Sequence, residues 1–428
     1  MRRALSHTAG QDPWAGAHAR MDERLSRTSP APLAVAFSGG GDSLALLLAA
    51  VAWTRRRGRA LIALTVDHRL QSQGAAWATA CAAICERLGV THRTLVWTGD
   101  KPATGLPAAA RTARHRLLAD AAREAGAAVV LMGHTADDVF EAAAMRSAGS
   151  TTPSPRVWAP SPVWPEGRGI FLLRPLLGER RADLRQALTE LGETWIDDPA
   201  NDDPRYARAR ARAGEPEEVG ADEPSGALDP IFADDGLGGL VADREAVRGA
   251  PPRLILKAAV CAGGGARLPS INRAERLADL IYGGGGFAST LAGARMIVTP
   301  DRIHLVREPG EARRGGLAEL ALIPGAELVW DGRFAVIAHV EGLAIGAAQG
   351  RISRLSNAER AALKAWPPAA RAAAPVVLYP DGKVSCPILA ESRSVQAHGL
   401  AYQRLLAATG SICDEDGVAD VAKTARAS

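Results

Sequence analysis

The chain has 428 residues, more than one ordinary hydrophobic core holds, and this length predicts two or three domains. Its formal net charge is +4, 46 of its 51 basic residues are arginine, and its aromatic content of 4% argues against a base-stacking sheet as the main nucleic-acid surface. The five cysteines form no C-x2-C pair, and the longest apolar run, residues 44–53, is too short for a membrane span. We therefore expect a globular cytoplasmic protein without a disulfide framework, a structural zinc site or a membrane anchor.

The charge pattern divides the chain into four parts. Residues 1–30 carry several arginines without an apolar stretch and are predicted to be an N-terminal extension rather than a secretory signal. Residues 31–212 form the first basic part, and residues 246–428 form the second. Between them, residues 213–245 hold one basic and ten acidic side chains. This composition predicts an acidic flexible linker, with an ordinary surface loop as the alternative.

Apolar runs alternate with helical patterns along the first basic part. Strands are predicted at 33–37, 61–66, 94–97 and 127–132, with helices at 74–88 and 107–125 and a further helix that follows the first strand. This alternation is typical of an open parallel α/β sheet, in which ligands bind beyond the carboxyl ends of the strands. Polar segments follow three of the four strands, and the site is therefore predicted at that edge.

The first of these segments is Ser38-Gly39-Gly40-Gly41-Asp42-Ser43. It lacks the Gly-Lys-Ser/Thr of a Walker A loop and the G-x-G-x-x-G of dinucleotide-binding folds. Three glycines, two hydroxyl groups and a helix N-terminus nevertheless predict a phosphate cradle. A tight turn capped by Ser43 is the alternative. Asp67, at the end of the second strand, has a second interpretation as the ribose-binding carboxylate of a Rossmann fold.

A helix that begins near Thr135 would place acidic groups beside this cradle. Residues 134, 137, 138 and 141 are spaced three to four apart, so His134, one or both aspartates and Glu141 are expected on one helix face. Such carboxylates can hold Mg2+ or the ammonium group of a substrate. The alternative is that the acids only complement the helix dipole.

The hexapeptide 38–43 resembles the S-G-G-x-D-S signature of the PP-loop ATP pyrophosphatases. Further segments are similar to ordered motifs of one family of these enzymes, the tRNA(Ile)-lysidine synthetases: Asp67-His68-Arg69-Leu70, Ala110-Arg111-Thr112-Ala113-Arg114, Gly133 to Glu141, Leu173 to Leu177, Asp198 to Asn201, and Tyr206-x-Arg208-x-Arg210-x-Arg212. The chain departs from the family pattern at His115, where the family has tyrosine, and at Ala209, where it has asparagine. It also passes directly into the acidic segment, where the family continues as a long helical segment.

The resemblance implies ATP-dependent ligation of free lysine to C2 of the wobble cytidine in the CAU anticodon of tRNA(Ile), through an adenylated intermediate. It implies binding of ATP and Mg2+ by Ser38, Gly39, Gly40, Gly41, Asp42 and Ser43, with Asp67, His68 and His134 as further nucleotide contacts. Catalytic roles are implied for Asp42, Asp137, Asp138 and Glu141. Substrate contacts are implied for Arg111, Arg114, Arg205, Arg208 and Arg212. A tRNA thiolation enzyme, a small-molecule amide ligase and a non-catalytic RNA-binding protein are the alternative functions.

Two other parts of the chain leave alternatives open. The Pro-rich segment 151–165 carries Trp158 and Trp164, which would either stack on an extruded base or pack inside a structural loop. Residues 246–428 are predicted to form a smaller α+β accessory domain that binds tRNA, with homodimer formation as an alternative role. Its predicted elements are helices at 251–262 and 270–283, a hairpin at 294–298 and 302–306, and strands at 327–330, 334–337 and 376–379. The run 283–286 is predicted to be a hinge rather than a second phosphate loop.

Overall fold

The computed structural model describes residues 12–149, 153–197, 231–390 and 392–427, with side chains to residue 423. These residues form two compact units. The first unit comprises the described residues within Met1–Gly226 together with Cys413–Val418. The second unit comprises those within Ala227–Ile412 and within Ala419–Ser428.

The first unit is built on a six-stranded sheet. Its strands are β1 (Leu33–Ala36), β2 (Leu61–Asp67), β3 (Thr91–Val96), β4 (Val129–Leu131), β5 (Trp158–Pro160) and β6 (Phe171–Leu173). The strand order is β3-β2-β1-β4-β6-β5, and every pair is parallel except β5 with β6. The predicted open parallel α/β sheet is confirmed, because unbroken apolar strands such as Leu33–Ala36 are buried on both faces.

Helices connect these strands and flank the sheet. They are α1 (Ala15–Arg24), α2 (Gly41–Arg57), α3 (Gly74–Leu88), α4 (Leu106–Glu124), α5 (Ala136–Ser147) and α6 (Arg181–Glu190). Helix α1 lies within the predicted N-terminal extension and packs on α2, where His18 Nε2 lies 3.0 Å from the Ala49 carbonyl oxygen. Trp53 Nε1 donates to Asp22 Oδ1 at 2.8 Å in the same contact. Residues 15–24 are therefore part of the first unit.

The Pro-rich segment forms part of the sheet. Trp158 lies in β5, is 8% exposed and stacks on Phe171 with ring centroids 5.0 Å apart. The alternative in which Trp158 stacks on an extruded base does not hold, since its ring is buried in the protein core. For Trp158 the structure agrees with the alternative of a packed structural residue.

A segment from the end of the chain completes the first unit. Glu415, in the first turn of α13 (Glu415–Ala427), pairs with Arg59, and both side chains are 4% exposed. Glu415 Oε2 accepts hydrogen bonds from Arg59 Nη1 and from the Ser26 backbone N–H, both at 2.9 Å. The pair is buried and fully hydrogen-bonded, so the loss of one partner leaves a charge without compensation.

We predict that Glu415→Gln lowers the free energy of unfolding of the first unit by about 3–5 kcal/mol, the usual cost of breaking a buried ion pair. Urea denaturation of the full chain measures this change. Asp416→Asn is the matched control, because Asp416 is exposed in the next position and its substitution should change stability by less than about 0.5 kcal/mol. Equal denaturation midpoints for Glu415→Gln and wild type would contradict the prediction.

The second unit contains three antiparallel sheets. The first sheet has strands β7 (Ala233–Asp234), β8 (Leu240–Asp243), β9 (Phe287–Leu291), β10 (Ala294–Val298) and β11 (Arg302–Arg307), in the order β7-β8-β11-β10-β9. The second has β12 (Leu320–Ala321), β15 (Ala344–Ala347), β16 (Pro375–Leu378) and β17 (Val384–Ser385). The third has β13 (Glu327–Trp330), β14 (Phe334–Ala338) and β18 (Val395–Gly399). The predicted hairpin and the strands near 327–330, 334–337 and 376–379 are confirmed.

Short helices accompany these sheets: α7 (Arg244–Arg248), α8 (Pro252–Ala262), α9 (Ile271–Tyr282), α10 (Asn357–Leu363), α11 (Pro368–Ala372) and α12 (Ala401–Thr409). Helix α8 is apolar on most sides and packs beneath β10 and β11 with Leu254, Ile255 and Ala258 buried. The predicted helices at 251–262 and 270–283 are confirmed, and the second unit is an α+β domain.

The linker prediction is wrong for residues 231–245. Phe232 is fully buried, β7 and β8 lie in the first sheet of the second unit, and Arg244 donates hydrogen bonds to the carbonyl oxygens of Ile281 and Thr299. Apolar residues at 232, 237 and 240 outweigh the acidic composition of this stretch. Residues 213–230 lie outside the described residues. Across the described parts of the chain, no helix combines the length and the apolar character that crossing a bilayer requires.

Candidate functional site

Residues 38–43 form a tight loop between β1 and the N-terminus of α2. Gly39 has φ +83°, a conformation that favours glycine, and a Cβ at this position would lie 2.6 Å from Ile196 Cδ1. Ser43 Oγ donates to the Gly40 carbonyl oxygen at 2.8 Å and lies 3.1 Å from Ser38 Oγ. The loop therefore brings two hydroxyl groups and a helix N-terminus together, the arrangement that binds phosphate groups.

The neighbouring strand ends close around this loop. A Cβ at Gly133, after β4, would lie 3.2 Å from the Asp42 carbonyl oxygen, so glycine allows the two backbones to approach. Asp67, the last residue of β2, is 9% exposed, and its Oδ1 accepts the Arg69 backbone N–H at 2.8 Å. His68 is half-buried, and its ring meets Trp97 edge to face at 6.0 Å. Burial, followed by the nearby Arg114 charge, lowers the pKa of His68, so its imidazole is neutral at pH 7.

An arginine that the sequence did not single out lies among the predicted catalytic acids. Arg181 Nε donates to Asp42 Oδ2 at 2.9 Å, its Nη1 donates to Glu141 Oε1 at 3.2 Å, and its Nη2 lies 3.7 Å from Asp138 Oδ2. Burial alone would lower the pKa of Arg181. The opposing effect of Asp42, Asp138 and Glu141 is larger, so the pKa is raised above its usual value and the guanidinium stays charged. Arg181 thus joins the loop 38–43 to helix α5.

The two adjacent aspartates of α5 have separate structural contacts. Asp138 Oδ2 accepts the Thr135 backbone N–H at 2.8 Å and completes a capping box at the start of α5. Asp137 Oδ2 accepts the Arg181 backbone N–H at 2.8 Å and lies 3.6 Å from Arg180 Nε. Asp137 therefore lies at the N-terminus of α6, where its charge complements the helix dipole.

A pocket of about 170 Å3 opens beside α5. Its charged lining is mixed, with carboxylates from Asp138 and Glu141 and guanidinium groups from Arg111, Arg156 and Arg174. Its apolar lining comes from Ala142, Met145, Ala159, Leu172 and the prolines at 153, 155, 160 and 162. A pocket with both signs of charge and an apolar wall suits a zwitterion with an aliphatic chain.

Arg174 organises the arginine side of this pocket. It follows β6, is 6% exposed, donates from Nε to His134 Nδ1 at 3.1 Å and from Nη1 to the Arg156 carbonyl oxygen at 2.7 Å. Burial, with the repulsion of Arg111 and Arg114, lowers the pKa of Arg174 to about 10. This guanidinium is therefore still charged at pH 7, and it fixes the orientation of the His134 ring.

His115, the first departure from the family pattern, lies under the same arginines. It is 2% exposed, and neither ring nitrogen has a hydrogen-bond partner among the described residues. Burial lowers the pKa of His115 to about 2, with further lowering from Arg114 and Arg111. The ring is therefore neutral at pH 7 and adds no charge to the arginine cluster.

The structure brings most of the predicted site residues to one edge of the sheet. At this edge, the cradle and Gly133 lie beside the α5 acids Asp138 and Glu141. The pocket is lined by Arg111, His134, Asp138 and Glu141. It is not lined by Asp137 or Arg114. Several predicted positions lie outside the described residues: Arg205, Arg208, Ala209, Arg212 and the segment Asp198 to Asn201. Arg174 and Arg181 are the residues that sequence reasoning missed. The motif at 173–177 could have pointed to Arg174, but no short-range signal marks Arg181.

Asp42 is the candidate ligand for Mg2+ in this site. Asp42 Oδ1 is buried without a hydrogen-bond partner among the described residues. Burial raises the pKa of Asp42, and this effect exceeds the lowering effect of the Arg181 charge. Within the described part of the chain, no three or more His, Cys, Asp or Glu side chains are grouped so that they could hold a metal ion. Mg2+ is commonly held by one or two carboxylates together with phosphate oxygens, so a single Asp42 ligand fits this ion only in company with bound nucleotide.

Comparisons with known proteins show the family to which the chain belongs. Residues 16–214 match a family model described as a PP-loop domain. A "tRNA(Ile)-lysidine synthase" of Caulobacter vibrioides is 48% identical over 91% of this chain and 94% of its own length. Relatives with the same name are 36% identical in Rhizobium meliloti, over 76% of this chain and 77% of the relative, and 35% identical in Brucella ovis, over 70% and 72%.

Proposed function

The chain belongs to the tRNA(Ile)-lysidine synthase family, and from that premise we propose that it joins free lysine to the wobble cytidine of tRNA(Ile) with the CAU anticodon, at the expense of ATP. The product, lysidine, changes codon recognition from AUG to AUA. The observation that carries this proposal is the mixed-charge pocket beside the phosphate cradle, with Asp42 and Glu141 joined through one guanidinium. As a tRNA-modifying enzyme it is expected in the cytoplasm.

The cradle supports the first step of the reaction. The C2 oxygen of the cytidine attacks the α-phosphorus of ATP, and the bond to the departing pyrophosphate breaks. Ser38, Ser43 and the N-terminus of α2 stabilise the negative charge of the phosphates. Mg2+ bound with the nucleotide would supply further neutralisation of that charge, and Asp42 is the residue that would hold it. Adenylation turns a poor leaving oxygen into a good one.

The pocket supports the second step. Lysine carries an α-ammonium and an α-carboxylate on one carbon, and the pocket offers Glu141 and Asp138 for the former and Arg111 and Arg174 for the latter. The apolar wall lies along the aliphatic chain. The ε-amino nitrogen then attacks C2, loses a proton and expels AMP. A thiolation enzyme would have no use for this amino-acid pocket.

An end-point assay separates the candidate functions. The proposal expects AMP to form only when both tRNA(Ile) and lysine are supplied, because pyrophosphate leaves in the first step and AMP leaves only when lysine attacks. Product formation without lysine, with transfer of sulfur, would favour a thiolation enzyme. Turnover without tRNA would favour a small-molecule amide ligase, and binding of tRNA without AMP formation would favour a non-catalytic RNA-binding protein.

The second unit offers a cationic groove for the same substrate. A groove of about 500 Å3 is lined by Arg360 on α10, by Lys364 directly after α10 and by Arg371 on α11, and its lining includes no acidic residue. The only acid of α10, Glu359, is turned inward, where its carboxylate accepts hydrogen bonds from the Ser356 hydroxyl and the Cys386 backbone N–H. The lining of the groove therefore carries a net positive charge, which suits the phosphate backbone of tRNA.

We predict that replacing Arg360, Lys364 and Arg371 together by glutamine weakens tRNA binding and flattens its dependence on salt. Loss of three phosphate contacts should reduce the slope of log K against log salt concentration by about 2 to 3. Filter binding of the full chain at several salt concentrations measures the slope; the full chain is needed because Cys413–Val418 belongs to the first unit.

The matched control removes three exposed arginines from other helices and loops of the second unit, Arg253, Arg267 and Arg276. This control should retain the wild-type slope. If the groove variant also retains it, the groove does not bind tRNA, and association of two copies of the chain becomes the better role for this unit.

A further inference from the structure

The Arg181 side chain bridges the two halves of the candidate site, the cradle and the pocket. Its guanidinium contacts Asp42 of the cradle through Nε and Glu141 of the pocket through Nη1. The side chain is only 17% exposed, and Glu141 is 5% exposed. The bridge is therefore a largely desolvated ion-pair network rather than a surface contact.

The backbone fixes the position from which Arg181 acts. It is the first residue of α6, and its N–H donates to Asp137 Oδ2 at 2.8 Å. The neighbouring Arg180 lies apart from the bridge, with its guanidinium 3.6 Å from Asp137 and 5.2 Å from the Phe140 ring centroid. Arg181 alone of this pair is thus placed between the cradle and the pocket.

The charges at this bridge are not balanced. Asp42, Asp138 and Glu141 present three carboxylates to one guanidinium. The guanidinium neutralises part of the charge that a substrate ammonium group would otherwise meet. Any phosphate bound at the cradle adjoins Asp42 and attracts the same guanidinium, because planar arginine forms strong paired hydrogen bonds to phosphate oxygens.

We propose that Arg181 is a positioning residue that couples nucleotide binding at the cradle to amine binding in the pocket. Bound phosphate draws the guanidinium toward the cradle, and Glu141 and Asp138 then become available to the ammonium group of lysine. By linkage, lysine in the pocket strengthens nucleotide binding by the same factor. This inference rests on the proposed function, because it takes lysine as the amine.

Calorimetric titration of lysine into the full-length protein tests the coupling, with and without Mg2+ and an ATP analogue that carries a methylene bridge between its α and β phosphates. For the wild type, the analogue should tighten lysine binding by about 5- to 150-fold, the usual range of coupling between two sites. For Arg181→Gln, the two lysine affinities should agree within about twofold. Arg181→Lys should give a factor between these, since an ammonium group is a single point charge and cannot bridge two carboxylates as a fork does.

The control is Arg87→Gln, which removes another paired arginine contact, to Glu193, away from the site. It should show the wild-type coupling factor, and thermal melts establish that each variant is folded. Should Arg181→Gln not fold, Arg181→Lys provides the same comparison. Wild-type coupling in a folded Arg181→Gln protein, or no coupling in the wild type, would overturn the inference. A wild type that binds the analogue but no lysine would instead contradict the proposed function.

Discussion

Asp42→Asn is expected to lower the rate of AMP formation by about 10²- to 10³-fold or more, the usual loss when one charge-stabilising group is removed from the transition state. Asp42 lies in the cradle at the start of α2, with Oδ2 held by Arg181 and Oδ1 buried without a partner in the described part of the chain. The amide of asparagine keeps the size of the side chain but removes the charge that a bound cation needs. AMP formation in the presence of tRNA(Ile), ATP and lysine measures the effect.

Binding of tRNA should remain near the wild-type affinity in this variant, because the cationic groove defined by Arg360, Lys364 and Arg371 lies in the other unit. Asp183→Asn is a suitable control, since Asp183 is an exposed acid in the first turn of α6. Formation of AMP at the wild-type rate by Asp42→Asn would show that the loop does not act as a pyrophosphatase cradle.

The sequence predicted the parts of the site that are local in the chain. Three consecutive glycines between an apolar run and a helix indicate the loop 38–43. The helical spacing of the α5 acids indicates that they share one helix face. The strands β5 and β6 were not predicted, and β5 lies in a Pro-rich segment whose composition favours a loop. For Trp158 the sequence left both alternatives open, since an exposed loop and a short edge strand have similar local patterns.

The contacts that organise the site were beyond sequence reasoning because they join distant parts of the chain. Arg181 and Asp42 are 139 positions apart, and Arg181 and Glu141 are 40 apart. With 46 arginines in the chain, nothing in the residue type marks this one. The buried ion pair of Glu415 with Arg59 likewise joins residues that are 356 positions apart. Such long-range ion pairs depend on how the elements pack, which no local pattern encodes.

Ornithine is expected to replace lysine with a loss of about 10²-fold in kcat/KM. In the proposed pocket, Glu141, Asp138 and the arginines fix the α-carbon end of the amino acid, and the aliphatic chain sets where the terminal nitrogen lies. Ornithine is one methylene shorter, so its nitrogen falls about 1 Å short of C2, and misplacement of that size typically costs 10²-fold. Turnover measured with both amines at saturating tRNA(Ile) and ATP gives the ratio directly.

Glu141→Gln tests whether the carboxylates set this selectivity. Glu141 is 5% exposed, and the substitution removes the charge that holds the ammonium group while keeping the side-chain size, so the KM for lysine should rise about 10- to 100-fold, as expected for loss of a charged hydrogen bond. The preference for lysine over ornithine should fall as well, because the amino acid is then less firmly held. The exposed Glu124→Gln, whose partner is Arg93 on the surface, should change neither value. Equal wild-type rates with the two amines would mean that Glu141 and Asp138 do not form a lysine pocket, and the acids of α5 would then act on the metal and nucleotide alone.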